Sequence, residues 1–186
     1  MVAKSLILCE GGDDVGFLTK FCKYLELDMK KVVIQKMSSK SNFFKESSYT
    51  TVKQKVRTGL YDKVLFIVDA DYLENDVKYG GFANSKSELE EIISILGFGE
   101  KAKYYIMCNP THKNGNLEHL VLSTIDGTQR ECIEVLLDCV VDMKTHSDKK
   151  IVLSSYEAIF KEAPYNLTHN NFNTLKNLLL WIGNSN

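Results

Sequence analysis

The sequence predicts an α/β fold: about four mostly parallel strands flanked by helices in three layers, continued by a C-terminal helical extension. Three observations carry this expectation. Short apolar runs alternate with stretches of helical period across residues 5–122, the pattern of βαβ units. The strongest run, Val64–Val68, is apolar without interruption, as a strand covered on both faces of a parallel sheet requires. After Gly115 the periodicity is helical to the end of the chain.

Ser5–Cys9 is the first short apolar run and reads as a strand. Val15, Leu18, Cys22 and Leu25 follow at helical spacing, with Asp13 or Asp14 placed as N-cap. Val32–Ile34 reads as the second strand and the serine-rich stretch Ser38–Ser48 as a loop. Val52 and Val56 mark a short helix ending at Gly59. The third strand, Val64–Val68, runs into Asp69-Ala70-Asp71, and a loop follows through Gly80 and Gly81. Ser85 opens the next helix, Leu89, Ile92, Ile93 and Leu96 form its stripe, and Gly97 ends it. Tyr104–Cys108 is the fourth strand, stopped by Asn109-Pro110. In the helical part, Leu117, Leu120 and Val121 start one stripe. Ile133, Leu136, Leu137 and Val140 form another, and Leu175, Leu178, Leu179 and Ile182 the last. Both prolines, Pro110 and Pro164, stand at element boundaries. Residues 1–124 therefore read as the α/β domain and residues 125–186 as a helical extension packed on the same domain.

Composition bounds the function classes. With 186 residues, 44% of them hydrophobic and 25% charged, the chain can bury a core and is not a disordered segment. No apolar run approaches the roughly 20 residues of a membrane span. A formal charge of −1 provides no global field for nucleic acid. The charge is uneven, however: residues 30–57 carry Lys30, Lys31, Lys36, Lys40, Lys45, Lys53, Lys55 and Arg57 against Glu46 alone. This stretch is either a solvated surface or a phosphate-facing patch. The five cysteines are odd in number and form no CxxC pair, and the opening residues contain no signal-peptide core. The expectation is buried, reduced thiols in a cytoplasmic protein.

In an open parallel sheet, ligands bind beyond the carboxyl ends of the strands, where strand order switches. Two predicted strands end there in carboxylates. The first leads to Glu10, with Asp13 and Asp14 just after it; the third leads to Asp69 and Asp71. Residues i and i+2 of an extended segment share a side, so Asp69 and Asp71 are expected to converge. If the first and third strands are neighbours, Glu10 faces that pair. Crowded carboxylates repel one another, and a hard divalent cation, Mg²⁺ or Mn²⁺, relieves the repulsion. Gly11 and Gly12 fit a sharp turn and a close ligand. Acidic residues after a strand are often structural; their conjunction on two buried strands favours chemistry. His119, beside Glu118, reads either as a neighbour of the site or as a surface histidine on a helix. Cys108, His112 and His119 have irregular spacing and lack a fourth ligand for zinc.

Leu8-Cys9-Glu10-Gly11-Gly12-Asp13-Asp14 before an amphipathic helix, followed by Ile67-Val68-Asp69-Ala70-Asp71, resembles the Toprim domain. This is the metal-binding core of topoisomerases, bacterial primases and OLD-type nucleases. Small stand-alone Toprim-like proteins share the opening motif and a late element matched here by Gly115-Asn116-Leu117-Glu118. The resemblance covers roughly residues 5–122 and implies a Rossmann-type three-layer fold. It further implies Glu10 as general acid/base or metal ligand, Asp69 and Asp71 as Mg²⁺ ligands, and Asp14 and Glu118 as further ligands. Gly11, Gly12, Lys36 and Lys40 are the expected phosphate contacts, and Asp13 and His119 further candidates. Glu74 and Asp76 could enlarge the metal set. No topoisomerase-type tyrosine region or ATPase partner accompanies the motifs. The implied activity is Mg²⁺-dependent phosphodiester cleavage or phosphoryl transfer on nucleic acid. The alternative is a non-catalytic module that binds a nucleotide, RNA or a protein. A protein partner or a second copy would use the helical extension.

Overall fold

The computed structural model describes residues 3–139, 148–159 and 166–184. Strands β1 (Lys4–Cys9), β2 (Val32–Lys36), β3 (Tyr61–Asp69) and β4 (Ala102–Met107) form one all-parallel sheet in the order β2-β1-β3-β4. The register sets Ile7 beside Ile34 on one side and Leu65 on the other, and Val68 beside Ile106. The chain steps outward from β1 to β2 and then returns to place β3 on the opposite side of β1. Winding thus reverses between β1 and β3, which leaves a crevice at their carboxyl ends.

Strand alternation sends Leu6, Leu8, Val64, Phe66 and Val68 to one face, against α3 (Thr50–Arg57) and α4 (Phe82–Leu96). Val52, Val56, Leu89 and Ile92 supply the helical side of that layer. Ile7, Cys9, Leu65, Ile67 and Met107 take the other face, under α1 (Gly12–Tyr24), α5 (Leu117–Leu122) and α8 (Asn173–Gly183). Both faces of β3 are covered, which is why its run has no polar interruption. Phe172 joins Phe17 and Phe21 with ring centroids 5.8 and 5.3 Å away. Leu175, Leu179 and Ile182 are fully buried, so the last helix is part of the sheet's cover. Fully burying such a side chain contributes about 1.5–3 kcal/mol.

Helices α6 (Gly127–Asp138) and α7 (Asp148–Ile159) close over a smaller core of Leu122, Ile125, Ile133 and Val152. Leu136, expected on the buried stripe, is 57% exposed. The Leu137 side chain, Val140 and Pro164 lie outside the described residues.

Several local expectations are corrected. Helix α1 starts at Gly12 with Gly11 as its N-cap, ahead of Asp13 and Asp14. Asp14 instead occupies the third helical position, where its carboxylate accepts the Gly11 N–H at 2.8 Å. The serine-rich stretch is not a plain loop: it holds α2 (Lys40–Phe43) and a 3₁₀ turn over Glu46–Tyr49. Burial of Phe43 and Tyr49, whose Oη donates to the Phe43 carbonyl at 2.6 Å, overrides the local polarity. Helix α4 begins after Gly81, and Ser85 is a buried residue within it, donating to the Tyr79 carbonyl at 3.0 Å. Cys9, Cys22 and Cys108 are buried free thiols, whereas Cys132 and Cys139 are free and exposed. Among the described residues no helix is long and apolar enough to cross a membrane.

Candidate functional site

The crevice between the ends of β1 and β3 opens into a cavity of about 390 Å³. It is lined by Glu10, Asp13, Asp14, Asp69 and Glu118, by Gly11 and Gly12, and by Ser38 and Ser39 opposite. Three separate segments deliver these carboxylates: the β1–α1 turn, the end of β3, and the first turn of α5. Main-chain N–H groups hold them in place. Glu10 Oε1 accepts the Asp69 N–H at 2.9 Å. Asp69 Oδ1 accepts the Leu117 N–H at 3.1 Å, so the start of α5 docks on the third strand through this aspartate. The adjacency of β1 and β3 thus brings Glu10 to Asp69.

The electrostatics follow from crowding and burial. Burial pushes Asp69 well above the usual carboxylate range, and the charges of Asp14, Glu10, Asp71 and Glu118 push the same way. Glu10 is pushed up to about 7, chiefly by burial; the Asp69 N–H and the Lys40 ammonium oppose this, and Asp71 and Asp14 add to it. Asp14 is raised by burial against the pull of the Gly11 and Glu10 main chain, with Glu118 adding to the rise. The Cys9 thiol, pushed up to about 12 by burial, stays protonated beside them. Such a cluster takes up either protons or an oxygen-seeking cation. Its donors are carboxylate oxygens, the ligand type that hard divalent cations prefer. Among the described residues, no three Asp, Glu, His or Cys side chains are drawn together in a group that could hold a metal ion.

Other expected residues stand differently. Asp71 does not line the cavity with Asp69, although its charge acts on Asp69 and Glu10. The strand ends at Asp69, and Asp71 adopts φ +58°, which breaks the alternation of an extended segment. Its Oδ2 pairs with Lys40 Nζ at 2.9 Å, and it does not line the cavity. Lys40, expected as a phosphate contact, is buried and donates to the carbonyls of Asp69 at 2.6 Å and Ala70 at 3.0 Å. Lys36 is exposed at the carboxyl end of β2, on the side of the sheet where the cavity opens. Gly11 has φ −128°, which any residue adopts, and a Cβ on Gly12 would meet open space. Neither glycine is required by a positive φ or a close contact, so the sharp-turn role expected of them is absent. Glu74 and Asp76 do not line the cavity; Asp76 Oδ1 accepts the N–H groups of Lys78 and Tyr79. In the basic stretch, Lys53 pairs with Glu46 at 2.7 Å and Lys55 lies over the Tyr61 ring.

His119 is buried, not a surface histidine. Its Nδ1 lies 2.6 Å from Asn116 Oδ1 and its Nε2 lies 2.9 Å from Tyr72 Oη. The ring rests on Gly115, where a Cβ would approach its Cγ to 2.5 Å. Gly115 in turn pairs with Asp71 in an antiparallel bridge, Asp71 N–H to Gly115 O at 2.7 Å. Sequence reasoning missed Tyr72. Asn116 and His119 form a capping box at the start of α5, but nothing in the local sequence signals the histidine's burial or its tyrosine partner. A larger hollow of about 670 Å³ lies between α4, β4 and α8, and none of the acidic set lines it.

A family model described as "Protein of unknown function (DUF3226)" matches residues 4–169, and the chain belongs to that family. The matched span runs from β1 through α7 and stops short of α8. No curated protein and no solved structure matches the chain.

Proposed function

We propose that this member of the DUF3226 family cleaves phosphodiesters or transfers phosphoryl groups on nucleic acid with Mg²⁺ or Mn²⁺. One observation carries the reading: five carboxylates, Glu10, Asp13, Asp14, Asp69 and Glu118, border one cavity where the winding of a parallel sheet reverses. The likeness of the Glu10–Asp14 and Asp69–Asp71 motifs to the Toprim domain supports it.

In this reading Asp69, Asp14 and Glu118 would hold the cation. A bound cation would offset charge on the phosphate oxygens and lower the pKa of water. Glu10, held near neutrality by burial, suits proton transfer at physiological pH. Its hydrogen bond to the Asp69 N–H fixes one of its oxygens at the cavity. The exposed Lys36, at the carboxyl end of β2, is a candidate phosphate contact in this reading.

The test is incubation of DNA and RNA with the wild-type chain and Asp69→Asn, each with Mg²⁺, Mn²⁺ or EDTA. Metal-dependent cleavage lost in the variant, with an unchanged circular dichroism spectrum, is the expected result. Full activity in Asp69→Asn would overturn it. A second reading, phosphate binding without turnover, is favoured by the absence among the described residues of three side chains drawn together for a metal. It predicts binding that survives EDTA, weakens with salt and shows no product.

A further inference from the structure

Helix α6 is apolar on two sides. Ile133, 3% exposed, turns into the small core shared with α7. Val135 and Leu136, each 57% exposed, turn outward, and among the described residues they are the only adjacent large hydrophobic side chains left exposed. Cys132 and Cys139 are exposed as well. Positions 132, 135, 136 and 139 stand at i, i+3, i+4 and i+7, so they line one helix stripe about 100° wide. The Cys139 N–H donates to the Leu136 carbonyl at 3.3 Å, which carries the turn one residue past the end of the helix. A contiguous apolar stripe on the outer side of a helix marks a contact surface. None of its residues lines the acidic cavity.

We propose that this stripe is a homodimer interface: α6 packs against α6 of a second copy of this chain, antiparallel, about a two-fold axis between Val135 and Leu136. The occupant follows from the order of the residues. The stripe is a cysteine, two residues, two branched aliphatic residues, two residues and a cysteine, so it reads alike from either end. A two-fold interface must be self-complementary, residue i meeting j while j meets i. Antiparallel pairing sets Cys132 opposite the partner's Cys139 and Val135 opposite the partner's Leu136. Packed helix axes lie about 8–10 Å apart, which brings facing Cα atoms to about 5 Å at the wider spacing, within reach of a disulfide. Within one chain the two thiols stand seven helical positions apart, about 10 Å, too far to join. The face spans only about two turns of helix, so the dimer is a weak one, populated at high concentration.

The experiment is sedimentation equilibrium of the reduced full chain over about a hundredfold range of concentration, followed by oxidative trapping. The wild-type mass should rise from one chain toward two. Leu136→Lys changes an exposed residue, so it should leave the circular dichroism spectrum unchanged and weaken association by more than about tenfold. Oxidised glutathione then traps the pairing: it takes the two thiol hydrogens with their electrons and leaves as two reduced glutathiones, while the Cys132–Cys139 bond forms between chains. Cys9, Cys22 and Cys108 are buried and do not compete. The wild type should cross-link on a non-reducing gel. Cys132→Ser alone and Cys139→Ser alone should not, because each removes one half of both symmetric pairs, whereas the two variants mixed should cross-link to each other. Cross-linking within either single variant would overturn the proposal, and so would a mixture that fails to cross-link. A dimer that Leu136→Lys leaves intact would overturn it as well. A wild type that stays monomeric throughout would overturn it and leave the stripe to a different protein.

Discussion

Replacing Glu10 by glutamine should make the protein more stable at pH 8 and leave it unchanged at acid pH. Glutamine retains a carbonyl oxygen to accept the Asp69 N–H, so the substitution removes the charge and keeps the hydrogen bond. Burial raises Glu10 from an ordinary value of 4.5 to about 7. That difference corresponds to about 3 kcal/mol between the two protonation states. The sign follows from proton binding. Between pH 4.5 and about 7 the native state holds a proton that the unfolded chain has lost, so native stability falls as pH rises. Below that window both states are protonated and the penalty vanishes; above it the full penalty is present. Asp69 and Asp14, also raised, contribute in the same direction. Urea unfolding of wild type and Glu10→Gln at pH 4, 6 and 8 measures the difference. The variant should gain up to about 3 kcal/mol at pH 8, about half of that near pH 6, and nothing at pH 4. On the proposed metal reading, Mg²⁺ should stabilise the wild type more at pH 8 than at pH 5, because it would compete with the proton for the same carboxylates. A variant no more stable than wild type at pH 8, or a gain independent of pH, would refute the argument that a desolvated charge sits at the end of β1.

Two further substitutions probe the frame around the site. Gly115→Ala should destabilise by about 3 kcal/mol, because the residue has φ +86° and its Cβ would lie 2.5 Å from His119 Cγ. Thermal unfolding reads the loss, and histidine NMR should show the displaced ring; an alanine tolerated at no cost would contradict the packing of His119 on Gly115. Leu179→Ala should cost about 2–5 kcal/mol in urea unfolding, since Leu179 is fully buried with the side chains of the sheet face under α1, α5 and α8. A neutral effect would mean that α8 does not cover the sheet.

Periodicity and composition alone determined the three-layer α/β class, the four strands and the carboxylates that follow the first and third of them. A strand ends where its apolar run ends, so Glu10 and Asp69 were legible as residues at the carboxyl edge of a sheet. In the sequence Glu118 stood out only through the resemblance of its Gly-Asn-Leu-Glu element to that of another family; its place beside Asp69 depends on the Leu117 N–H reaching across 48 positions to the aspartate. Strand order decided the rest of the site. The arrangement β2-β1-β3-β4 makes β1 and β3 neighbours, and an apolar pattern, which reports burial, does not say which buried strand lies beside which. Asp71 was misjudged because the i, i+2 rule assumes that the strand continues, and the bridge to Gly115 turns the chain out of it. Lys40 sits in a polar stretch whose local chemistry reads as solvent-facing. Its burial is set by the carbonyls and carboxylate of residues 69–71, about thirty positions away. Tyr72 and His119 are likewise 47 positions apart. Local pattern encodes period and burial because both depend on near neighbours in the chain. Which ion pairs close, and which carboxylate faces a cavity, depends on long-range contacts that exist only once the sheet has assembled.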